Sequence, residues 1–205
     1  MTIFKNRIEA GKKLAERLAE FKETNAIILA LPRGGIITGA EVAHALDLPL
    51  DIIVTRKIGA PGNEEYAIGA IDIEGTGVFS ESEAAYVDKE WLNKEITKEK
   101  QEAERRWQEY RGTRGPLELV GKTVVIVDDG IATGMTMKAA VRYAKKLGAQ
   151  NVIVAVPVAP QSTVAELKQE VDVRTLETPV LFFAVGQFYE DFPQISDQEV
   201  IRLLS

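Results

Sequence analysis

The sequence contains no cysteine, which excludes disulfides and thiolate-ligated metal sites. It has one histidine, His44, set in a helical run between Ala43 and Ala45 with no second ligand beside it. A packing role is therefore expected of it, not metal binding or catalysis. No apolar run is long enough to span a bilayer, and the opening MTIFKNRIEAGKK lacks the apolar core of a secretory leader. The expectation is a cytoplasmic protein with no membrane partner. Basic clusters are also missing. The net charge is -6, and the stretch richest in cations, Lys94 to Arg106, interleaves them with Glu, which argues against nucleic acid as a partner. Neither internal repeats nor low-complexity tracts occur.

What is present suits one domain: 205 residues, 45% of them hydrophobic, can bury a sizeable core. Asn6 to Phe21 places Ile8, Ala15, Leu18 and Phe21 at helical spacing among charged residues. Ala26 to Leu31 reads as a buried strand, Ile36 to Leu46 as a helix and Leu50 to Thr55 as a second strand. Tyr66 to Asp72 and Gly77 to Ser80 predict an antiparallel pair joined through Gly75-Thr76, followed by a long charged helix from Asp88 to Tyr110. Thr123 to Val127, Asn151 to Val156, Val171 to Leu176 and Val180 to Val185 read as further strands. Gln161 to Glu170 reads as a short helix, and Ser196, with Glu199 at capping-box spacing, starts a last one. This alternation predicts an α/β fold, a parallel sheet flanked by helices on both faces.

The segment with most chemistry is Thr123 to Met137, TVVIVDDGIATGMTM. A β-branched strand ends in Asp128 and Asp129. Gly130 and Gly134 then free the backbone, and Thr133 and Thr136 add hydroxyls ahead of the helical pattern Met137, Ala140, Val141, Ala144 and Leu147. A strand, a glycine loop and a helix N-terminus make an anion site, because unpaired amide N–H groups and the positive end of the helix dipole converge there. The two carboxylates would repel a bare anion. They suit a ligand that also has vicinal hydroxyls and brings a hydrated Mg2+, so the motif predicts a ribose 5-phosphate with a metal-bound diphosphate nearby. Two other phosphate motifs are excluded: Met135 stands where a Walker A loop needs Lys, and no G-x-G-x-x-G opens a helix.

Two further stretches end at the same edge. Pro32-Arg33-Gly34-Gly35 follows the first strand and offers a second glycine turn plus a guanidinium suited to bidentate phosphate contact. Arg56-Lys57 follows the next apolar run, ahead of Gly59, Pro61, Gly62 and Asn63, which read as a mobile lid or as a plain hairpin turn. Glu64 and Glu65 on that segment are either surface charges or a catalytic acid or base.

The segment Thr123 to Thr136, with four apolar residues, two acids and a Gly/Thr-rich loop, resembles the phosphoribosyl diphosphate (PRPP) motif of the type I phosphoribosyltransferases. Pro32 to Gly35 resembles that family's diphosphate loop, and Arg56-Lys57 with its following loop is similar to some members. The resemblance runs from about Ala26 to Thr136 and loosely through the last strand. It implies one domain over 1–205 with a C-terminal hood piece at about 178–205, to which this sequence adds an unfamiliar helical insertion at about 81–115. It also implies a non-proline cis peptide near Pro32 and Arg33.

The activity implied is transfer of 5-phosphoribose from PRPP to a nitrogenous base with release of diphosphate, in nucleotide salvage. Gly130, Ile131, Ala132, Thr133, Gly134 and Thr136 would bind the 5-phosphate. Asp128 and Asp129 would hold the ribose hydroxyls, with no metal bound to protein alone and a ligand-borne Mg2+ near the two acids. Arg33, Gly34, Gly35, Arg56 and Lys57 would hold diphosphate, with Asp128, Asp129, Lys57 and Arg33 forming the catalytic set. Phe183, Phe188, Tyr189 and Asp191 are the acceptor-binding candidates, with Phe182 and Glu190 beside them.

The chain departs from hypoxanthine- and guanine-using members at Ala132, where those carry an Asp that acts on the base; the ATG triplet is closer to adenine-using members. The acceptor is left unassigned, and the acid or base falls to Glu64, Glu65, Glu190, Asp191 or the substrate. A PRPP-sensing regulator without transferase activity is the alternative, and a PRPP synthetase, which resembles two such domains in tandem, is a third. A homodimer burying the long helix or the first hairpin is plausible.

Overall fold

The computed structural model describes residues 4–205, apart from the side chain of Glu65. Among the described residues eight strands form two sheets. Five are parallel: β1 (Ile27–Ala30), β2 (Leu50–Ile52), β6 (Thr123–Val127), β7 (Asn151–Val158) and β8 (Asp172–Glu177), in the spatial order β2-β1-β6-β7-β8. The other three, β3 (Thr55–Ala60), β4 (Asn63–Asp72) and β5 (Gly77–Phe79), pair antiparallel. The helices are α1 (Arg7–Arg17), α2 (Gly35–Leu46), α3 (Glu81–Ala84), α4 (Lys89–Arg111), α5 (Met135–Lys146), α6 (Gln161–Leu167) and α7 (Asp197–Leu204).

Alternation along the parallel strands builds two core layers. Ile27, Leu29, Val124, Ile126, Val152 and Val154 pack with Met137, Ala140 and Val141 of α5 and Leu167 of α6. On the opposite face Ile28, Val125, Val127, Ile153 and Ala155 pack with Leu14 of α1 and Val42 and Leu46 of α2. Each fully buried Leu or Ile of this kind stabilises the fold by ~1.5–3 kcal/mol. The chain leaves β1 towards β2 and returns to β6 on its other side, so the order reverses between β1 and β6. Ligands of open α/β sheets bind at the carboxyl ends of the strands beside such a reversal.

Helix α1 departs from its expected face. The Asn6 side chain caps it by accepting from the Glu9 amide at 3.0 Å. Arg7, Ala10, Gly11, Leu14 and Ala15 are buried, whereas Ile8 is 44% exposed. Gly11 sets the approach to α2: a Cβ there would lie 2.7 Å from Glu41 Cβ and 2.9 Å from the Thr38 carbonyl oxygen.

The apolar run Leu50 to Thr55 is not one strand. Its parallel pairing ends at Ile52, and from Thr55 the chain enters the antiparallel sheet, which makes Arg56 and Lys57 strand residues. The segment expected as a mobile lid or a hairpin turn is the hairpin, with Ala60 paired to Asn63 and Gly62 at φ 76° between them. Val180 to Val185 forms no strand, in correction of the sequence reading. Val180, Leu181 and Phe183 are 92%, 71% and 85% exposed, and Val185–Phe188 is a single 3-10 turn. With β8 at the sheet's edge and its register ending at Glu177, no strand among the described residues takes up this stretch.

The long helix stands almost where it was expected, with Asp88 accepting from the Trp91 amide at 2.9 Å as its N-cap. Beyond the 3-10 turn, the chain pairs with the N-terminal segment through a bridge between Phe4 and Tyr189. It ends in α7, whose Val200 and Leu204 pack with Ile36, Val54, Ala103 and Tyr110.

Candidate phosphate-binding site

The loop after β6 is built as its sequence predicted. Ile131 N donates to the Val158 carbonyl at 3.0 Å, and Thr163 Oγ1 donates to the Ala132 carbonyl at 2.8 Å, tying the loop to β7 and α6. Gly134 caps α5 at φ 80°, a left-handed conformation that favours glycine. The first-turn amides of α5 have no intrahelical acceptor and open towards the loop. A cavity of about 110 Å³ is lined by Asp128, Gly130, Ile131, Ala132, Thr133, Gly134, Met135 and Thr136, with Lys57 and Ala67 closing it from the antiparallel sheet. Its size suits a phosphate group.

The loop after β1 abuts this one. The Pro32-Arg33 peptide is cis, and Gly34 and Gly35 run directly under the acidic pair. A Cβ on Gly34 would collide with the Asp129 carboxylate, and one on Gly35 would lie 2.8 Å from Asp128 Cα and 2.9 Å from the Val127 carbonyl oxygen. Glycine is required at position 35 by close approach of the two backbones and at position 34 by the Asp129 side chain.

The two acids face different surroundings. Asp128 lines the loop cavity, and its Oδ1 accepts from the Asp129 amide at 2.8 Å. Burial, followed by the charge of Asp129, raises its pKa well above the usual carboxylate value. Asp129 is buried, and its Oδ2 accepts from Arg7 Nε at 2.7 Å. Burial also raises its pKa, against the opposing pull of the Arg7 guanidinium. Arg7 in turn donates from Nη1 to the Pro193 carbonyl at 2.8 Å and lies 3.6 Å from the centre of the Phe192 ring. The Tyr189 hydroxyl donates to the Asp129 carbonyl at 2.5 Å; burial and the nearby Asp129 charge push that phenol well above its ordinary pKa.

Arg7 was not singled out in the sequence. The available signal was a cation at position i of a stripe continued by Ala10, Gly11 and Leu14 on the buried face of α1. A buried guanidinium requires a partner, but the sequence does not identify one 122 residues away.

The other expected residues divide. Arg33 is exposed and 3.6 Å from Asp197 of α7, whose carboxylate also accepts from the Tyr110 hydroxyl. Lys57 reaches the loop cavity. Arg56 does not line it; its Nε donates to Glu99 Oε2 of α4 at 2.7 Å, on the far side of the hairpin.

The expected aromatic platform divides. Phe188 and Tyr189 are 3% and 5% exposed and pack with Phe4 and Val158, so neither ring is open to stack on a base. Phe182 packs against Phe188 with ring centres 5.1 Å apart, whereas Phe183 is exposed. Glu190 and Asp191 are exposed, their amides bonded to the Phe4 and Lys5 carbonyls at 2.9 Å each. Glu64 is exposed on the hairpin, and the Glu65 side chain lies outside the described residues. His44 is exposed on α2. Among the described residues, no group of three or more His, Asp or Glu side chains stands together as a metal cage, and no helix is long and apolar enough to cross a membrane.

Residues 2–192 match the family model described as "Phosphoribosyl transferase domain". A Mycobacterium tuberculosis (strain H37Rv) protein named "Putative phosphoribosyl transferase" is 42% identical over 207 residues, a match spanning 100% of this chain and 47% of that protein. The chain thus spans about half the length of the curated relative. The crystal structure of TT1426 from Thermus thermophilus superposes with a TM-score of 0.84 at 39% identity, covering 99% of this chain and 98% of that one. A Neisseria gonorrhoeae protein with bound ppGpp shares the fold, with a TM-score of 0.51 at 19% identity over 87% of this chain and 84% of its own.

Proposed function

The chain belongs to the phosphoribosyl transferase domain family, and on that premise we propose that it transfers 5-phosphoribose from PRPP to a nitrogenous acceptor and releases diphosphate. One observation carries the reading: the loop cavity places a glycine-rich anion cradle and a pocket-facing carboxylate, Asp128, directly against the second glycine loop at Gly34-Gly35. A substrate with a phosphate at one end, a diol in the middle and a diphosphate at the other matches that sequence of groups.

The backbone amides of 130–134 and the hydroxyls of Thr133 and Thr136 take the 5-phosphate. Asp128 accepts from the ribose hydroxyls. Asp129, neutralised by Arg7, holds the underside of the motif rigid and keeps the Gly34 loop in place. Gly34, Gly35 and Arg33 receive diphosphate from one side and Lys57 from the other, with Arg33 exchanging its exposed Asp197 pairing for the ligand. Arg56 is committed to Glu99 and leaves this set.

Asp128, a hard oxygen donor facing the cavity, is the residue that would hold a Mg2+ brought by the substrate. When bound, the metal supplies positive charge to the departing diphosphate. In the transfer the C1–O bond to diphosphate breaks, its electron pair leaving on the diphosphate. A C1–N bond forms, and the proton on the acceptor nitrogen passes to a carboxylate. The site favours this by holding both phosphates and stabilising charge as it develops.

The test is diphosphate release from PRPP and Mg2+ with a panel of nitrogenous acceptors. Acceptor-dependent release is expected. Tight PRPP binding with no release from any acceptor would replace this reading with that of a PRPP-sensing regulator.

A further inference from the structure

The loop after β1 carries a contact that the transfer itself does not require. Arg33 Nη1 stands 3.6 Å from Asp197 Oδ1, close enough for attraction between charges but beyond good hydrogen-bond range. Both side chains are partly exposed, at 39% and 31%. The same Asp197 oxygen accepts from the Tyr110 hydroxyl. Tyr110 is buried near the C-terminal end of α4, inside the helical insertion.

The two members of this ion pair differ in freedom. Asp197 is the first residue of α7, where the Ser196 side chain accepts from the Glu199 amide at 3.2 Å and the positive end of the helix dipole favours an acid. Val200 and Leu204 of that helix pack with Ile36 and Tyr110. The carboxylate is thus seated on a packed helix and steadied by a buried phenol. Arg33 lies on the turn between β1 and α2, with a long side chain free to swing. Arg106, another cation near the Tyr110 hydroxyl, is committed to Glu102 at 2.7 Å and leaves the Asp197 charge to Arg33.

We propose that Asp197, seated by Tyr110, is a positioning residue that competes with diphosphate for Arg33: it holds the guanidinium beside the ligand-free site and reclaims it as diphosphate leaves, which weakens donor and product binding and hastens release. The proposal rests on the transferase reading for the donor. A carboxylate and a diphosphate oxygen make equivalent charge-assisted bonds to a guanidinium, so binding of one excludes much of the gain from the other. The loose contact suits this role. A bidentate pair at hydrogen-bond distance would keep Arg33 from the ligand, whereas an exposed pair at 3.6 Å is weak enough to exchange.

The test is calorimetry of PRPP and of inorganic diphosphate, each with Mg2+, on the full chain and on Asp197→Asn, which keeps an oxygen for the Tyr110 hydroxyl but removes the charge. Both ligands are expected to bind the variant about three- to fivefold more tightly, the upper range for an exposed pair. Stopped-flow measurement is expected to show slower dissociation of diphosphate. In an Arg33→Gln background the same substitution is expected to change neither affinity, because no guanidinium is left to compete for. Glu199→Gln, which removes a like charge from the same turn of α7, is the control and is expected to leave both affinities as they are. Unchanged or weaker binding in Asp197→Asn, the result of a purely structural role, would overturn the assignment, as would equal tightening in the Arg33→Gln background or in Glu199→Gln. Failure of the donor reading looks different: PRPP does not bind the parent chain, whatever inorganic diphosphate does.

Discussion

The phosphate loop and a cavity of about 660 Å³ between the β3–β4 hairpin and α4 are built by opposite means. The loop comes from one contiguous stretch, sits over a core layer and is pinned by backbone bonds to β7 and α6. The cavity takes its walls from β3, β4 and α4, three separate elements of the chain, and its charged lining includes the Arg56–Glu99 pair between strand and helix. A group common to every turnover is best met by fixed backbone donors, which require no reorganisation when it arrives. Discrimination among ligands falls instead to side chains, which differ in shape and charge at little expense to the core.

The comparison breaks most readily at Arg7. If the phosphate half is held from outside its own motif, Arg7→Met leaves Asp129 buried without its cation and destabilises the protein by ~3–5 kcal/mol, the usual result of removing one partner of a buried pair. Urea unfolding measures this, and adding Asp129→Asn is expected to recover most of the loss. A loss below about 1 kcal/mol would mean that the loop supports itself.

The division between the two acids gives the next effect. Asp128→Asn is expected to weaken PRPP binding by ~1.5–3 kcal/mol, the range for a hydrogen bond to a charged group, as read by calorimetry with Mg2+. Because the folded environment raises the Asp128 pKa, its ionised form opposes folding at neutral pH. The same variant should therefore be no less stable than the parent without ligand at pH 7. Asp129→Asn should instead show its main deficit in stability, with weaker PRPP binding following from a loosened Gly34 loop. Identical profiles for the two variants would remove the distinction.

The smallest effect lies in the antiparallel sheet. Asp72 closes the β4–β5 turn by accepting from the Glu74 and Thr76 amides at 2.9 Å each. Burial nevertheless raises its pKa, against those two bonds. A raised folded pKa contributes stability that is present below the unfolded value of about 3.9 and is lost as pH rises through the folded one. The stability of the parent relative to Asp72→Asn should thus fall as pH rises from about 4 towards 7, by about 1 kcal/mol or less, in urea titrations across that range. A difference that grew with pH would reverse the sign assigned to burial.

The parts legible in the sequence are those whose causes are local. A β-branched strand, two acids, a glycine loop and an amphipathic helix follow one another in Thr123 to Lys146, and the structure keeps that order. The parallel sheet also followed from local alternation. Two errors came from partners that local patterns do not name. Leu50 to Thr55 looks continuous because its apolar residues run on with little interruption, but two different sheets take them up. Val180 to Val185 has strand-like composition with no strand among the described residues to receive it. The site divides likewise: its loops could be read from the sequence, whereas the commitments of Asp129 to Arg7, Arg33 to Asp197 and Arg56 to Glu99 are tertiary. The aromatic tail divides in a way composition does not show, since a buried ring and an exposed one look alike in sequence: Phe188 and Tyr189 are buried, whereas Phe183 is exposed.

Arg7 joins Asp129, 122 residues away, to the carbonyl of Pro193, 186 residues away. During synthesis the acidic pair and its glycine loop therefore emerge from the ribosome well before the segment that completes their support. Contacts of such long sequence separation form late, after loop-closure entropy has been overcome. The acidic motif is thus completed only after Pro193 has emerged, and a nascent chain that has not yet exposed Pro193 holds Asp129 and Arg7 without that carbonyl.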